Sequence, residues 1–115
     1  MARKCYSVYV IELSKKVFSD NYRFRQANPQ FNGVLECLYV GMTSKSPEIR
    51  FIQHKTAALS KKGHKLSSFI VRRYGLYLRP SLYQNIPKMN KKEALEMEEK
   101  LALQLRSKRY AVWFN

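Results

Sequence analysis

Residues 34–41, with the sequence Val-Leu-Glu-Cys-Leu-Tyr-Val-Gly, predict a β-strand around which the rest of the chain can be arranged. The pair Asn32-Gly33 directly before this stretch is a strong turn signal, because both residue types tolerate left-handed backbone. Residues 5–12, Cys-Tyr-Ser-Val-Tyr-Val-Ile-Glu, are rich in β-branched and aromatic types and predict an earlier strand. The polar stretch 14–33 between them predicts at most one short helix, over residues 19–27.

Two helices are predicted next. The first begins at Ser46-Pro47-Glu48 and runs to about residue 59, because serine caps a helix, proline suits its first position and an acid favours its positive end. The second is basic, covers residues 65–74, and ends before Gly75.

The remaining chain predicts a third strand, a last helix and an apolar tail. The strand covers residues 76–86, and Pro80 within it indicates an edge position or a late start. The helix begins with a capping-box pattern at Asn90 and Glu93 and ends near residue 106 or 108. The tail 110–115 is expected to pack back onto the body.

This order of elements, ββααβα with short connections, predicts the α+β class. We expect a small, mainly antiparallel three-stranded sheet flanked by helices. Residues 1–115 are expected to form a single domain with an inserted segment at about 14–33.

The charge of the chain predicts an anionic polymer as its partner. The 115 residues include 22 Lys and Arg against 8 Asp and Glu, which gives a formal net charge of +14. The cations are spread along the chain, which suits a surface that follows a phosphate backbone better than a basic tail does. On charge alone, a merely soluble or membrane-attracted basic protein is the alternative. The candidate nucleic-acid-binding residues are Lys61, Lys62, His64, Lys65, Arg72 and Arg73.

Other features predict a cytoplasmic protein. No apolar run approaches the ~18 residues of a membrane span, and no signal-peptide core follows the first residues. Cys5 and Cys37 lack the spacing of a zinc site and are expected to be buried, reduced strand residues. No small-molecule cofactor motif is present.

The last predicted helix carries a carboxylate on its apolar face. At about 100° per residue, the main apolar side chains fall within an arc of roughly 80°, and Glu98 lies inside it. A carboxylate there must be paired, hydrogen-bonded, metal-bound or placed at the margin of the core. A buried arginine partner is one structural explanation, and a bound metal is the functional one.

Arg50 and His54 lie four residues apart and therefore on one face of the first predicted helix. Arginine matches a phosphate with two parallel donors, and histidine can accept a proton near neutral pH. A solvated helix face is the alternative interpretation. Tyr9 and Tyr39 lie centrally in the first two strands, where packing is the usual role of a tyrosine.

Taken together, these residues resemble the GIY-YIG nuclease family. Ser7-Val8-Tyr9 corresponds to the first motif and Tyr39-Val40-Gly41 to the second. Further along the chain, the matching segments are Arg50-x-x-x-His54, Ala94-Leu95-x-x-Glu98 and Asn115. The similarity covers nearly the whole chain and keeps the motifs in order.

The resemblance implies an endonuclease in which Glu98 holds one Mg²⁺ or Mn²⁺ ion. Arg50 would stabilise the charge that develops on the phosphate. Tyr9 would take the proton of the attacking water, directly or through His54, with its pKa lowered by nearby cations. Tyr39 would contact the water or the phosphate. Gly41 and Asn115 would support the site.

Two features depart from the family pattern. Ser7 stands where glycine is usual, and Tyr9 and Tyr39 are separated by an unusually long segment, which contains residues 14–33. Tyr22 and its neighbours in that segment could contact nucleic acid by stacking and charge. Alternatively, the segment could cover an edge of the sheet.

The resemblance therefore predicts hydrolysis of DNA phosphodiester bonds, with nicking by a single active site. A catalytically inactive nucleic-acid-binding module and an RNA-directed nuclease are the alternatives. Charge cannot separate DNA from RNA, and the sequence does not define the oligomeric state.

Overall fold

The computed structural model describes residues 5–56 and 66–114, and these fold as an α+β protein. Across those ranges, one mixed sheet contains four strands. The strands are β1 (Ser7–Leu13), β2 (Cys37–Thr43), β3 (Gly75–Leu78) and β4 (Ala111–Phe114). The helices around the sheet are α1 (Lys16–Asp20), α2 (Tyr22–Ala27), α3 (Pro47–Thr56), α4 (Leu66–Tyr74) and α5 (Lys91–Ser107).

The strand order is β3-β1-β2-β4. β1 is antiparallel to both β2 and β3, whereas β4 pairs with β2 in parallel. The prediction of a three-stranded sheet is therefore wrong, because the apolar tail adds a further strand instead of only packing on the body. Ala111 and Val112 of this strand are fully buried.

The third predicted strand is shorter than expected. β3 ends at Leu78, because Pro80 opens a turn of 3-10 helix over Pro80–Leu82. Proline lacks a backbone donor and cannot continue the ladder. The edge position that the proline indicated is confirmed, since β3 pairs only with β1 among the described residues.

The helix starts follow their sequence signals. The Ser46 hydroxyl accepts a hydrogen bond from Ile49 N at 3.2 Å at the start of α3. The predicted end of that helix, near residue 59, lies outside the described residues. The Asn90 side chain accepts from Glu93 N at 2.8 Å, and Glu93 accepts from Asn90 N at 3.3 Å, which confirms the capping box of α5.

Segment 14–33 forms two short helices where one was predicted. Asn21 separates them, because its backbone is extended (φ −111°, ψ 110°) and its side chain accepts from Phe24 N to begin α2. The segment also covers the outer edge of β4. Asn28 Oδ1 accepts from Val112 N at 2.6 Å, and Gln30 Nε2 donates to the carbonyl of Tyr110 at 2.8 Å. Edge covering is thus one role of the insertion.

The cysteines differ in their surroundings. Cys37 is buried in β2 as predicted, and burial raises the pKa of its thiol to about 11. Cys5 is exposed, so its predicted burial is wrong: it precedes β1, whose pairing with β2 begins at Ser7. None of the helices within residues 5–56 and 66–114 combines the length and apolarity that a membrane crossing requires.

Candidate active site

The site begins at one end of the two central strands. Tyr9 of β1 lies opposite Gly41 of β2 in the antiparallel register. A Cβ atom at position 41 would lie 2.7 Å from the Tyr9 hydroxyl oxygen and 2.8 Å from the Tyr39 ring. Any side chain at that position would displace the tyrosines. Glycine therefore makes room for the Tyr9 hydroxyl beside β2.

Two further aromatic rings surround this hydroxyl. The centroid of the Tyr39 ring lies 6.2 Å from that of Tyr9 and 6.1 Å from that of His54. His54 Nε2 lies 3.3 Å from the Tyr9 hydroxyl, which donates to it when the imidazole proton is on Nδ1. All three side chains are buried. Packing against neighbours on several elements fixes their orientation.

Helix α3 supplies His54 and, one turn earlier, Arg50. His54 is only 6% exposed, so the interpretation as a solvated face is wrong for the histidine. Arg50 is partly exposed and lies close enough to Tyr9 to lower the pKa of its hydroxyl. The arginine therefore joins the buried tyrosine to the surface, where an anionic ligand can reach it.

Helix α5 supplies Glu98. Its side chain is 2% exposed, on the same buried face as Ala94 and Leu101, as the apolar arc predicted. Leu95, on the same helix, is 48% exposed and lies outside this buried face. Glu98 raises the pKa of Tyr9, which places its negative charge near the hydroxyl. The predicted catalytic side chains thus come together around Tyr9.

Burial determines how Tyr9 ionises. It raises the pKa of the hydroxyl well above the usual value, and the neighbouring Tyr39 raises it further. Arg50 acts in the opposite direction, and Glu98 adds to the increase. Arg50 lowers this pKa as expected, but desolvation outweighs its guanidinium, so the net shift is upward. Tyr9 is protonated at neutral pH.

His54 is shifted in the direction that keeps it neutral. Burial, followed by the charge of Arg50, lowers its pKa to about 4. At pH 7 the imidazole therefore carries one proton and offers one nitrogen as an acceptor. As pH falls toward 4 the ring becomes protonated and the acceptor is lost. Over the physiological range His54 is neutral and can accept the hydrogen bond from the Tyr9 hydroxyl at Nε2.

The chemistry of the donor set limits which metal the site can hold. In the described parts of the chain, no group of three or more His, Cys, Asp or Glu side chains could hold a metal ion. A cage for zinc or calcium is thus not formed there by protein ligands. One carboxylate suits Mg²⁺, which keeps several waters and takes its other ligands from substrate oxygens. Glu98, whose side chain is 2% exposed, is the carboxylate that this mode of binding would use.

The other predicted site residues fall into two groups. Arg72 and Arg73 are exposed on α4, as a nucleic-acid contact requires. Predicted residues that lie outside the described part of the chain are Lys61, Lys62, His64, Lys65 and Asn115.

Sequence reasoning missed two neighbours of the site. Gln53 Oε1 lies 3.5 Å from Arg50 Nη1, and its three-residue spacing on α3 was the available signal. The sequence indicated only that Lys55 contributes to the positive charge. Its ammonium group donates at 2.9 Å to the carbonyl oxygens of Arg72 and Gly75, and so links α3 to the end of α4.

No protein-family model, curated protein or solved structure matches the chain.

Proposed function

We propose that the protein is a metal-dependent endonuclease of the GIY-YIG type that hydrolyses phosphodiester bonds in DNA. The observation that carries the proposal is the cluster around Tyr9, where His54 Nε2 lies 3.3 Å from the hydroxyl and the Tyr39 ring lies 6.2 Å from the Tyr9 ring. Arg50 and Glu98, from two separate helices, both act on the pKa of this hydroxyl. Phosphodiester hydrolysis needs an anion-binding cation, a proton acceptor and a metal ligand. The cluster supplies all three.

Glu98 would hold one Mg²⁺ or Mn²⁺ ion, which when bound supplies charge stabilisation for the phosphate and the leaving oxygen. Arg50 binds a non-bridging phosphate oxygen at the partly exposed side of the cluster. Its charge cannot be lost at neutral pH, so it stabilises the extra negative charge of the transition state. Tyr39 packs against Tyr9 and His54 and holds both rings in position.

The proton leaves the attacking water through Tyr9 and His54. Because Tyr9 is protonated at neutral pH, it cannot act as a base without giving up its own proton. The water oxygen attacks phosphorus and the P–O bond to the leaving oxygen breaks, while one water proton passes to the Tyr9 oxygen and the original Tyr9 proton passes to Nε2 of His54. Protonated His54, whose pKa is about 4, then releases that proton to solvent, and the leaving oxygen takes up a proton from solvent. The relay therefore requires no tyrosinate in the resting protein.

Binding is proposed to rest on the net charge of +14 and on the exposed arginines of α4. Such contacts are largely independent of base sequence and weaken steeply with salt. One active site cuts one strand, so a single copy nicks. The cytoplasm, where both thiols stay reduced, is part of the same proposal.

Relaxation of a supercoiled plasmid tests the proposed function directly. With Mg²⁺ or Mn²⁺ we expect conversion to open circles, and with EDTA we expect binding without conversion. Binding that never leads to metal-dependent nicking would identify a non-catalytic module. Preferential cleavage of an RNA of matched length would identify an RNA-directed nuclease instead.

Arg50→Ala is expected to lower the single-turnover nicking rate about 100-fold, because one preorganised donor to the developing charge is lost. DNA affinity should change by less than about threefold, since many other cations hold the backbone. Arg72→Ala is the matched control: it should weaken binding and its salt dependence without changing the rate at saturating DNA. Equal losses of rate and affinity in Arg50→Ala would show that Arg50 only binds DNA.

A further inference from the structure

One exposed tyrosine lies in segment 14–33, away from the active site. Tyr22 begins α2 and is 62% exposed. Its hydroxyl accepts from Gln26 Nε2 at 2.6 Å, and the Arg25 guanidinium lies over its ring at 5.9 Å. Arg25 is itself held by the carbonyl oxygens of Phe18 and Ser19. The ring is therefore fixed in place while most of it remains accessible.

The neighbouring segment-14–33 residue Phe24 shows the contrast. It is fully buried, and its ring stacks on Trp113 with centroids 6.4 Å apart. Phe24 therefore anchors α2 to the core. Core packing does not account for the exposed tyrosine ring at position 22. An aromatic side chain that is exposed and yet oriented loses little conformational entropy on binding, which suits a recognition contact.

A series of contacts connects this tyrosine to the active site. Lys55 of α3 binds the end of α4, and Arg73 of α4 lies 5.7 Å over the ring of Tyr74. The Tyr74 hydroxyl in turn donates to Asp20, at the end of α1. Helices α3, α4, α1 and α2 are thus adjacent in space. Exposed cations on these helices include Lys16, Arg23, Arg72 and Arg73.

We propose that Tyr22, together with the exposed cations of these helices, binds DNA that contains an unpaired stretch, with an unpaired base stacked on the Tyr22 ring. Bases in a duplex stack on one another and do not offer a face to a side chain. The surrounding cations favour a polyanion over an apolar protein partner. This inference rests on the proposed function and names the substrate class of the same site.

The test measures binding in EDTA, by fluorescence anisotropy, to a labelled single strand and to a duplex of the same length. Tyr22→Ala is expected to weaken single-strand binding about 5- to 100-fold and duplex binding less than about twofold. Tyr22→Phe should bind both like the wild type, since it retains the ring. The control is Tyr77→Ala, which removes a similarly exposed tyrosine on β3 (51%) and should not distinguish the two DNAs.

A fluorescent base analogue in a gapped duplex locates the contact. Quenching by the wild type, lost in Tyr22→Ala, is expected when the analogue is unpaired. Equal weakening of both DNAs, or no weakening, would overturn the inference, as would a loss confined to RNA. Because no metal is present, these results are independent of nicking. If Tyr22→Ala bound both DNAs like the wild type while the wild type still nicked DNA, only this inference would fail and the proposed function would stand.

Discussion

Glu98→Gln is expected to reduce metal-dependent nicking about 1,000-fold, because the metal's contribution of several kcal/mol to charge stabilisation is lost. Glutamine has nearly the shape of glutamate but no negative charge for a divalent ion. The side chain is 2% exposed, so its packing within α5 should be retained. Single-turnover nicking, measured over a range of Mg²⁺ concentrations, gives both the rate and the apparent metal affinity.

Stability separates the loss of function from unfolding. Glutamine keeps the length of the Glu98 side chain and one of its acceptor oxygens, so the variant should remain folded and melt cooperatively close to the wild-type temperature. Glu96→Gln and Glu99→Gln are matched controls, because both residues lie on α5 and are exposed. They should nick at the wild-type rate. Undiminished nicking by Glu98→Gln would remove the metal ligand from the proposal, and a lower melting temperature would point to a structural carboxylate.

Local signals in the sequence were sufficient to predict where α3 and α5 begin. Ser46 and Asn90 began α3 and α5 as predicted, because a cap depends on hydrogen bonds within a few residues. The burial of Glu98 followed from the period of α5, where every turn repeats the same face. Caps and helical periodicity depend only on residues close in sequence, so they can be predicted without knowing the tertiary structure.

Strand pairing depends on residues far apart in the chain and could not be predicted from local signals. β4 has only four residues, and its backbone donors are satisfied by β2 and by the Asn28 side chain, which is 84 residues from Val112. The division of segment 14–33 at Asn21 depends on one residue's backbone angles. The class was predicted, but the number and direction of the strands required the tertiary structure.

The candidate site shows the same division. The order of the motifs in the sequence predicted which residues form the site. The pKa values of these residues depend on burial, which the sequence does not give. Counting cations predicted a lowered pKa for Tyr9, but the ring is 1% exposed and desolvation raises that pKa instead. The register that places Tyr9 opposite Gly41 explains why a glycine is needed at that position of β2.

Tyr9→Phe is the variant that tests the proton relay, and it is expected to lower the nicking rate between about 100- and 10,000-fold. The substitution removes one oxygen atom and keeps the ring that packs against Tyr39. The lost hydrogen bond to His54 should cost about 1 kcal/mol of stability at most, because its length of 3.3 Å is at the weak end of the range. DNA affinity should stay within about twofold of the wild type, since phosphate contacts dominate binding.

Tyr74→Phe provides the matched control for this variant. Tyr74 is also buried, and its hydroxyl donates to Asp20 at 3.1 Å, away from the catalytic cluster. Its loss should leave the nicking rate unchanged. Wild-type nicking by Tyr9→Phe would mean that the water passes its proton directly to His54. In that case, replacement of His54 by glutamine alone would abolish nicking. In the relay, both the Tyr9 hydroxyl and the His54 imidazole are required. The double variant should then be no slower than the slower of the two single variants.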